Sequence, residues 1–149
     1  MSQEEDAAVF RQAVRYWSDG NGEGVLSLMA DDIVHTVNVD AMGIPYLLSA
    51  EGKPAVAARL ALIGATFVID AFVVENFFFE TDEIRANVLG YHTHRKTRER
   101  LDVKIRFRIR IRDGQIARLD EYIDGAYVDA YEKFVKHLGQ TAMESGGMP

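Results

Sequence analysis

The stretch VKIRFRIRIRDGQIARLDEYID, residues 103–124, decides the fold. Its first ten positions alternate strictly, with Val103, Ile105, Phe107, Ile109 and Ile111 on one side and Lys104, Arg106, Arg108, Arg110 and Arg112 on the other. A period of two is the signature of a strand with one buried face, so the apolar row must look into a core. Asp113-Gly114 then turns the chain back, and two pairings compete. A two-residue loop sets Phe107 against Asp120 and Ile109 against Arg118, which buries unpaired charge. A three-residue loop, Asp113-Gly114-Gln115, shifts the partner strand by one residue. Ile109 then faces Leu119, Ile105 faces Ile123 and Phe107 faces Glu121 indoors, while Arg108 meets Asp120 and Lys104 meets Asp124 outdoors. The second register is preferred. Its flaw is Arg110 opposite Arg118, a like-charge pair costing a few tenths of a kcal/mol.

Working upstream, three further stretches carry strand character: IVHTVNV, TFVIDAFVVENFFF and EIRANVLGYHTH. Helical spacing joins Val9, Phe10, Ala13, Val14 and Trp17, and the breakers Asp19-Gly20-Asn21-Gly22 end that helix. Val25, Leu26, Leu28 and Met29 suggest a short second helix closed by Asp31 and Asp32. Lys53-Pro54 opens a third, Ala55 to Ile63, with proline in the first turn where its missing N–H costs nothing. Ala126 to Leu138 form a last amphipathic helix. Helices followed by a run of strands predict an α+β fold with a mostly antiparallel sheet, one face covered by helices. Residues 1–138 are expected to form a single domain and 139–149 a flexible tail.

Composition narrows the function. The 149 residues are 48% apolar and 27% charged, with no cysteine and a net charge of −6. Thiol nucleophiles, thiolate metal sites and disulfides are therefore excluded. The acidic start MSQEEDAAVF lacks the basic character of a signal peptide, and no apolar run reaches the ~18 residues of a membrane span, so a cytoplasmic protein without membrane contact is expected. Arg95 to Arg112 concentrate nine of the seventeen cations. Without interleaved aromatics, and with Asp120 and Asp124 opposite, this predicts a charged outer sheet face or dimer contact rather than a nucleic-acid track. Nucleophile-elbow, phosphate-loop, dinucleotide and H-E-x-x-H motifs are all missing.

The preferred register makes Glu121 the one carboxylate on an apolar inner face, where desolvation without a cation suits a general acid or base. If instead it lies at a wet sheet edge, it is an ordinary surface acid. Parity with Ile84, Ala86 and Val88 places Gly90, His92 and His94 on the inner face, and His35 shares parity with Ile33. Three histidines can thus converge near Glu121, with His92 and Glu121 as the expected acid/base pair. The competing arrangement is a set of hydrogen-bonded histidines at the rim. His92-x-His94 with Glu121 and His35 also offers metal-ligand types, but HxH on a strand is weak evidence and no metal is expected. Tyr16 and Trp17 on the first helix, with Phe107, are candidates for a cavity wall.

The segments LMADDIV, GYHTH and DGQIARLDEYID, within an order of helices and strands running from Val9 to Leu138, resemble the SnoaL-like polyketide cyclases and ketosteroid isomerase relatives of the nuclear transport factor 2-like superfamily. The resemblance implies a cone: a curved antiparallel sheet wrapped around the N-terminal helices, with a pocket in the wide end and a homodimer through the sheet. In the cyclases a Gly-Thr-His-Thr-Gly strand motif matches Gly90 to His94, which puts His92 on the family histidine. Their acid/base aspartate follows the Asp-Gly-x-Ile turn at the position of Glu121. An Arg-x-Asp pair like that of the epoxide hydrolases occurs as Arg100-Leu101-Asp102, but one strand late. The carboxyl positions of the steroid isomerases fall on Val37 and Ile105, which are apolar and so are expected only to line the pocket. Together these imply a cofactor-independent acid/base isomerase, cyclase or hydratase/hydrolase acting on a mostly apolar small molecule. The alternative is a non-catalytic ligand-binding or dimerisation module.

Overall fold

The computed structural model describes the backbone of residues 2–146 and side chains through Gln140. Helices α1 (Gln3–Ser18), α2 (Gly22–Ser27) and α3 (Lys53–Thr66) lie on one face of a six-stranded sheet, and α4 (Gly125–Gly146) closes the chain. The strands are β1 (Met29–Val37), β2 (Ala50–Glu51), β3 (Phe67–Phe79), β4 (Ile84–His94), β5 (Arg100–Arg112) and β6 (Gln115–Tyr122), in the spatial order β2-β1-β6-β5-β4-β3. All neighbours are antiparallel except β1 and β6, which run parallel. The predicted α+β class and curved sheet are what the chain adopts, and the sheet is open, with β2 and β3 at its edges.

Local signals explain the boundaries. Ser2 caps α1 in a reciprocal capping box with Glu5, and Asn21 caps α2 through Gly24 N–H. Two corrections follow. The second helix stops at Ser27, and Asp31 and Asp32, expected to end it, sit exposed within β1 where its pairing with β6 shifts register. Met29 pairs with Ile116 and is 2% exposed, so burial of that side chain pulls the strand start forward. At the other end α4 continues past Leu138 to Gly146, where a loose tail is predicted; Ala142, Met143 and Glu144 are strong helix formers, and the lone Gly139 costs only about 1 kcal/mol. The remainder of that predicted tail, 147–149, lies outside the described residues.

Bulges curve the sheet. In β3 the register shifts at Asp70 and again at Glu75, so the inward set runs Phe67, Ile69, then Phe72, Val74, then Phe77. Each extra residue bends the strand and keeps the apolar side chains inside. The β5–β6 hairpin has a third bulge. Asp113 (φ 53°) and Gly114 (φ 75°) form a two-residue turn with Arg112 paired to Gln115, correcting the three-residue loop expected from the sequence. Ala117 is then an extra residue, because Ile111 pairs with Ile116 but Arg110 with Arg118. Beyond it Ile109 faces Leu119 and Phe107 faces Glu121. The inner register is the preferred one, reached through a bulge instead of a longer loop.

The core occupies the concave side. Ile33, Val56, Val88 and Ile109 are fully buried there, and Phe10 of α1 packs on Phe107 and Phe77 with ring centroids 5.4 and 6.1 Å apart. The convex side carries the charges. Arg108 bonds Glu83 in a bidentate pair at 2.6 and 2.7 Å, although Asp120 is its cross-strand neighbour. Asp124, expected opposite Lys104, lies beyond β6 and accepts from Ala126 and Tyr127 N–H at the start of α4.

Candidate active site

Parallel pairing of β1 with β6 aligns His35 with Leu119 and Val37 with Glu121. His35 and Glu121 are therefore diagonal neighbours on the concave face, and His35 Nε2 lies 3.1 Å from Glu121 Oε1. The other ring nitrogen, Nδ1, is 2.5 Å from Arg59 Nη2. A guanidinium can only donate, so Nδ1 must accept and the proton of the neutral ring sits on Nε2, donating to the carboxylate. Arg59, His35 and Glu121 thus form a relay of fixed direction, from deep in the protein to the cavity wall. Arg59 is 6% exposed, and its Nε and Nη1 have no hydrogen-bond partner among the described residues. Burial pulls it below its usual range, and the charge of Glu121 works the other way.

His92 is also buried, with Nδ1 3.0 Å from the Leu101 carbonyl across the β4–β5 pair. A carbonyl only accepts, so Nδ1 carries the proton and Nε2 holds the lone pair. Burial pushes His92 below its ordinary value, against the Leu101 hydrogen bond and the charge of Glu121, which favours the neutral ring. The rings of Phe67 and Phe72 meet it edge-on, each at 5.6 Å. Gly90 makes this possible: a Cβ there would stand 2.6 Å from Phe72 Cε1 and 2.9 Å from His92 Cε1.

These groups border a cavity of about 120 Å³ between the helices and the concave sheet. Glu121, His92, His35, Trp17, Ile105 and Phe107 line it, together with Tyr46 and Phe67. His94, Tyr16 and Val37 do not. His94 shares the inward parity but stands at the end of β4, where its Nδ1 accepts from Lys96 and Thr97 N–H in the following turn. Tyr16 lies half-buried against α2, its ring in the space a side chain at Gly24 would fill. Val37 is buried outside the cavity wall, with its N–H bonded to Ser49 Oγ.

Two departures from the expected site matter. The hydrogen-bonded partner of Glu121 is His35, not His92, because the parallel β1–β6 pairing brings β1 beside the carboxylate. And Glu121 does not lack a cation: Arg59 stands behind His35. Sequence reasoning passed over Arg59, although it is the one charged residue between Pro54 and Thr66 and lies one turn from the buried Val56. Among the described residues no cluster of three or more His, Asp or Glu is arranged to hold a metal ion.

A family model for the SnoaL-like domain matches residues 10–119. The chain belongs to the SnoaL-like family. Its fold agrees with solved members of the nuclear transport factor 2-like superfamily. A Bacillus subtilis protein provisionally named an isomerase shares 18% identity at a TM-score of 0.78, with 87% of this chain and 94% of that one covered. An NTF2-like protein of unknown function from Burkholderia pseudomallei shares 16% at 0.74, covering 86% and 95%. AclR of Streptomyces galilaeus, provisionally named a hydroxylase, shares 17% at 0.70, covering 93% and 98%. No curated protein matches the chain. Among the described residues no helix of this SnoaL-like protein is long and apolar enough to cross a membrane.

Proposed function

We propose that the chain is a small-molecule enzyme in which Glu121 moves a proton on a compact, mostly apolar substrate, without an organic cofactor, in an isomerisation, cyclisation or hydration. The observation that carries this reading is the carboxylate on an apolar cavity wall, one oxygen held 3.1 Å from His35 Nε2. His35 orients Glu121 as an acceptor. Arg59 keeps His35 in the tautomer that does so and supplies a counter-charge. His92, neutral with its lone pair on Nε2, accepts a second hydrogen bond from the substrate, and Trp17 forms part of the wall. A base within about 3.2 Å of the proton it removes contributes roughly 10²–10⁴-fold to rate. Fixed dipoles in a water-poor site add to this because they need no reorganisation during the reaction. The same reading has the protein working as a homodimer through the convex sheet face, where Val73, Phe78 and Tyr122 are exposed beside the arginine row.

The test needs no knowledge of the natural substrate. In 5-nitrobenzisoxazole a base removes the C3 proton, the N–O bond opens, and a coloured cyanophenolate is released. We expect the protein to accelerate this reaction over acetate at equal concentration, and Glu121→Gln to lower the rate about 10²–10⁴-fold. An unchanged rate in the variant, or none above acetate, overturns the assignment. The cavity volume of about 120 Å³ favours a second reading, a module that only binds a small ligand, since drug-sized pockets begin near roughly 300 Å³. Ligand binding without Glu121-dependent turnover would decide for that reading.

A further inference from the structure

The cavity side chains divide unevenly between groups that can give a hydrogen bond and groups that can take one. His35 has both nitrogens engaged, Nδ1 by Arg59 and Nε2–H by Glu121 Oε1. The Tyr46 hydroxyl donates to Glu132 Oε1. The His92 N–H donates to the Leu101 carbonyl. What these groups leave toward the hollow is the second oxygen of Glu121 and the Nε2 lone pair of His92, both acceptors. Among the other lining side chains Trp17 alone carries a nitrogen or oxygen, a neutral indole N–H, and Met29 adds only a weakly accepting thioether sulfur.

We infer that the cavity selects an uncharged, ring-sized apolar ligand that presents a hydrogen-bond donor or an acidic C–H to Glu121, and discriminates against carboxylates and against ligands with neither. Arg59 imposes this choice at a distance. By making His35 an acceptor at Nδ1, it turns Nε2–H onto Glu121 and leaves no imidazole N–H facing the ligand. A buried acceptor left unpaired is costly, so a ligand lacking the donor is penalised beyond the loss of one bond. A carboxylate ligand would bring a second negative charge beside Glu121 in a poorly solvated space. The size follows from volume: 120 Å³ is close to the roughly 150 Å³ apolar cavity known to hold benzene. This deepens the reading of Glu121 given above and rests on the same cavity.

Phenol, toluene and benzoate separate the possibilities, because phenol and toluene have nearly the same shape and toluene is the more hydrophobic. Burial of apolar area alone therefore predicts that toluene binds more tightly. Trp17 is the single tryptophan and lines the cavity, so fluorescence quenching and the shift of its one indole N–H resonance report occupancy. At pH 7 the expected result is phenol binding about tenfold more tightly than toluene, with benzoate weaker than both. Glu121→Gln, a near-isosteric change, should cut the phenol preference several-fold. Toluene or benzoate binding as tightly as phenol overturns the inference, and so does failure of all three to bind. Phenol offers the site no reaction, so its affinity stands apart from turnover. If the phenol preference is Glu121-dependent while benzisoxazole opening is not, donor selection holds and the catalytic role falls. If opening is Glu121-dependent and toluene matches phenol, the reverse is true.

Discussion

Asp120 and Glu121 are neighbours in sequence, one on each face of β6, and they differ in nearly every respect. Asp120 accepts from Thr36 Oγ1 at 2.6 Å and from Arg118 Nε at 3.1 and 3.2 Å. Burial works against its charge, but these bonds and the charges of Arg118 and Arg108 outweigh it and hold the carboxyl below its usual value. Glu121 has one neutral imidazole as its direct partner and a cation one residue removed. The convex-face acid is saturated with donors and therefore structural. The concave-face acid keeps an oxygen in reserve in a place with little water, which is the condition for work on a ligand.

The sharpest way to break this contrast is to neutralise each acid in turn. Glu121→Gln should remove about 10²–10⁴-fold of benzisoxazole opening and leave the denaturation midpoint nearly unchanged, whereas Asp120→Asn should keep the rate and cost about 1–2 kcal/mol in urea unfolding. Equal effects of both on rate would erase the distinction between the faces. A second, smaller effect separates the faces by packing. Gly90→Ala drives a Cβ into Phe72 and His92, and overpacking of this kind typically costs about 1–3 kcal/mol. Asn87→Ala, exchanging a half-buried convex-face side chain, should stay within about 0.5 kcal/mol.

Acidity gives a third probe. The folded state holds His92 below its ordinary value of 6.5, so between the lowered value and 6.5 the unfolded chain binds the extra proton and the folded chain does not. Stability therefore falls as pH drops through 6.5 and stops falling once the folded-state value is passed. His92→Phe should flatten the dependence of unfolding free energy between pH 7 and 5, and an unchanged slope would mean that other groups carry it. The smallest effect is on the outside. Replacing Arg110 by Thr removes the like charge opposite Arg118 and should stabilise by a few tenths of a kcal/mol in the same unfolding assay.

Much of this architecture is legible from alternation alone, because ten residues of strict apolar and basic exchange leave one choice of buried face. That is why alternation alone puts Glu121 indoors. The turn was misread because a bulge and a longer loop shift a partner strand by the same one residue, and Asp-Gly serves both. Depth is the second thing that parity does not carry: His92 and His94 share a face, yet only the one farther from the strand end reaches the cavity. Which strand lies beside β6 is a third. The parallel approach of β1, which gives Glu121 its histidine, is a long-range pairing that local pattern does not encode. Arg59 escaped notice because a lone arginine in a helix is usually at the surface, and its burial is visible only once His35 is seen beside it.

The extra residue at Ala117 gives the last strand something like a reading frame. The tip at Asp113 and Gly114 sits upstream of that frame, so its composition is free to drift while everything downstream of the bulge stays in phase. Regular pairing run on from the tip, with no residue set aside, would slip the phase by one: the saturated acid would swing into the hollow and the reactive one out among the arginines, every side chain left unmutated. Deleting Ala117 itself would leave both carboxylates where they are, since it removes only the residue that has no partner.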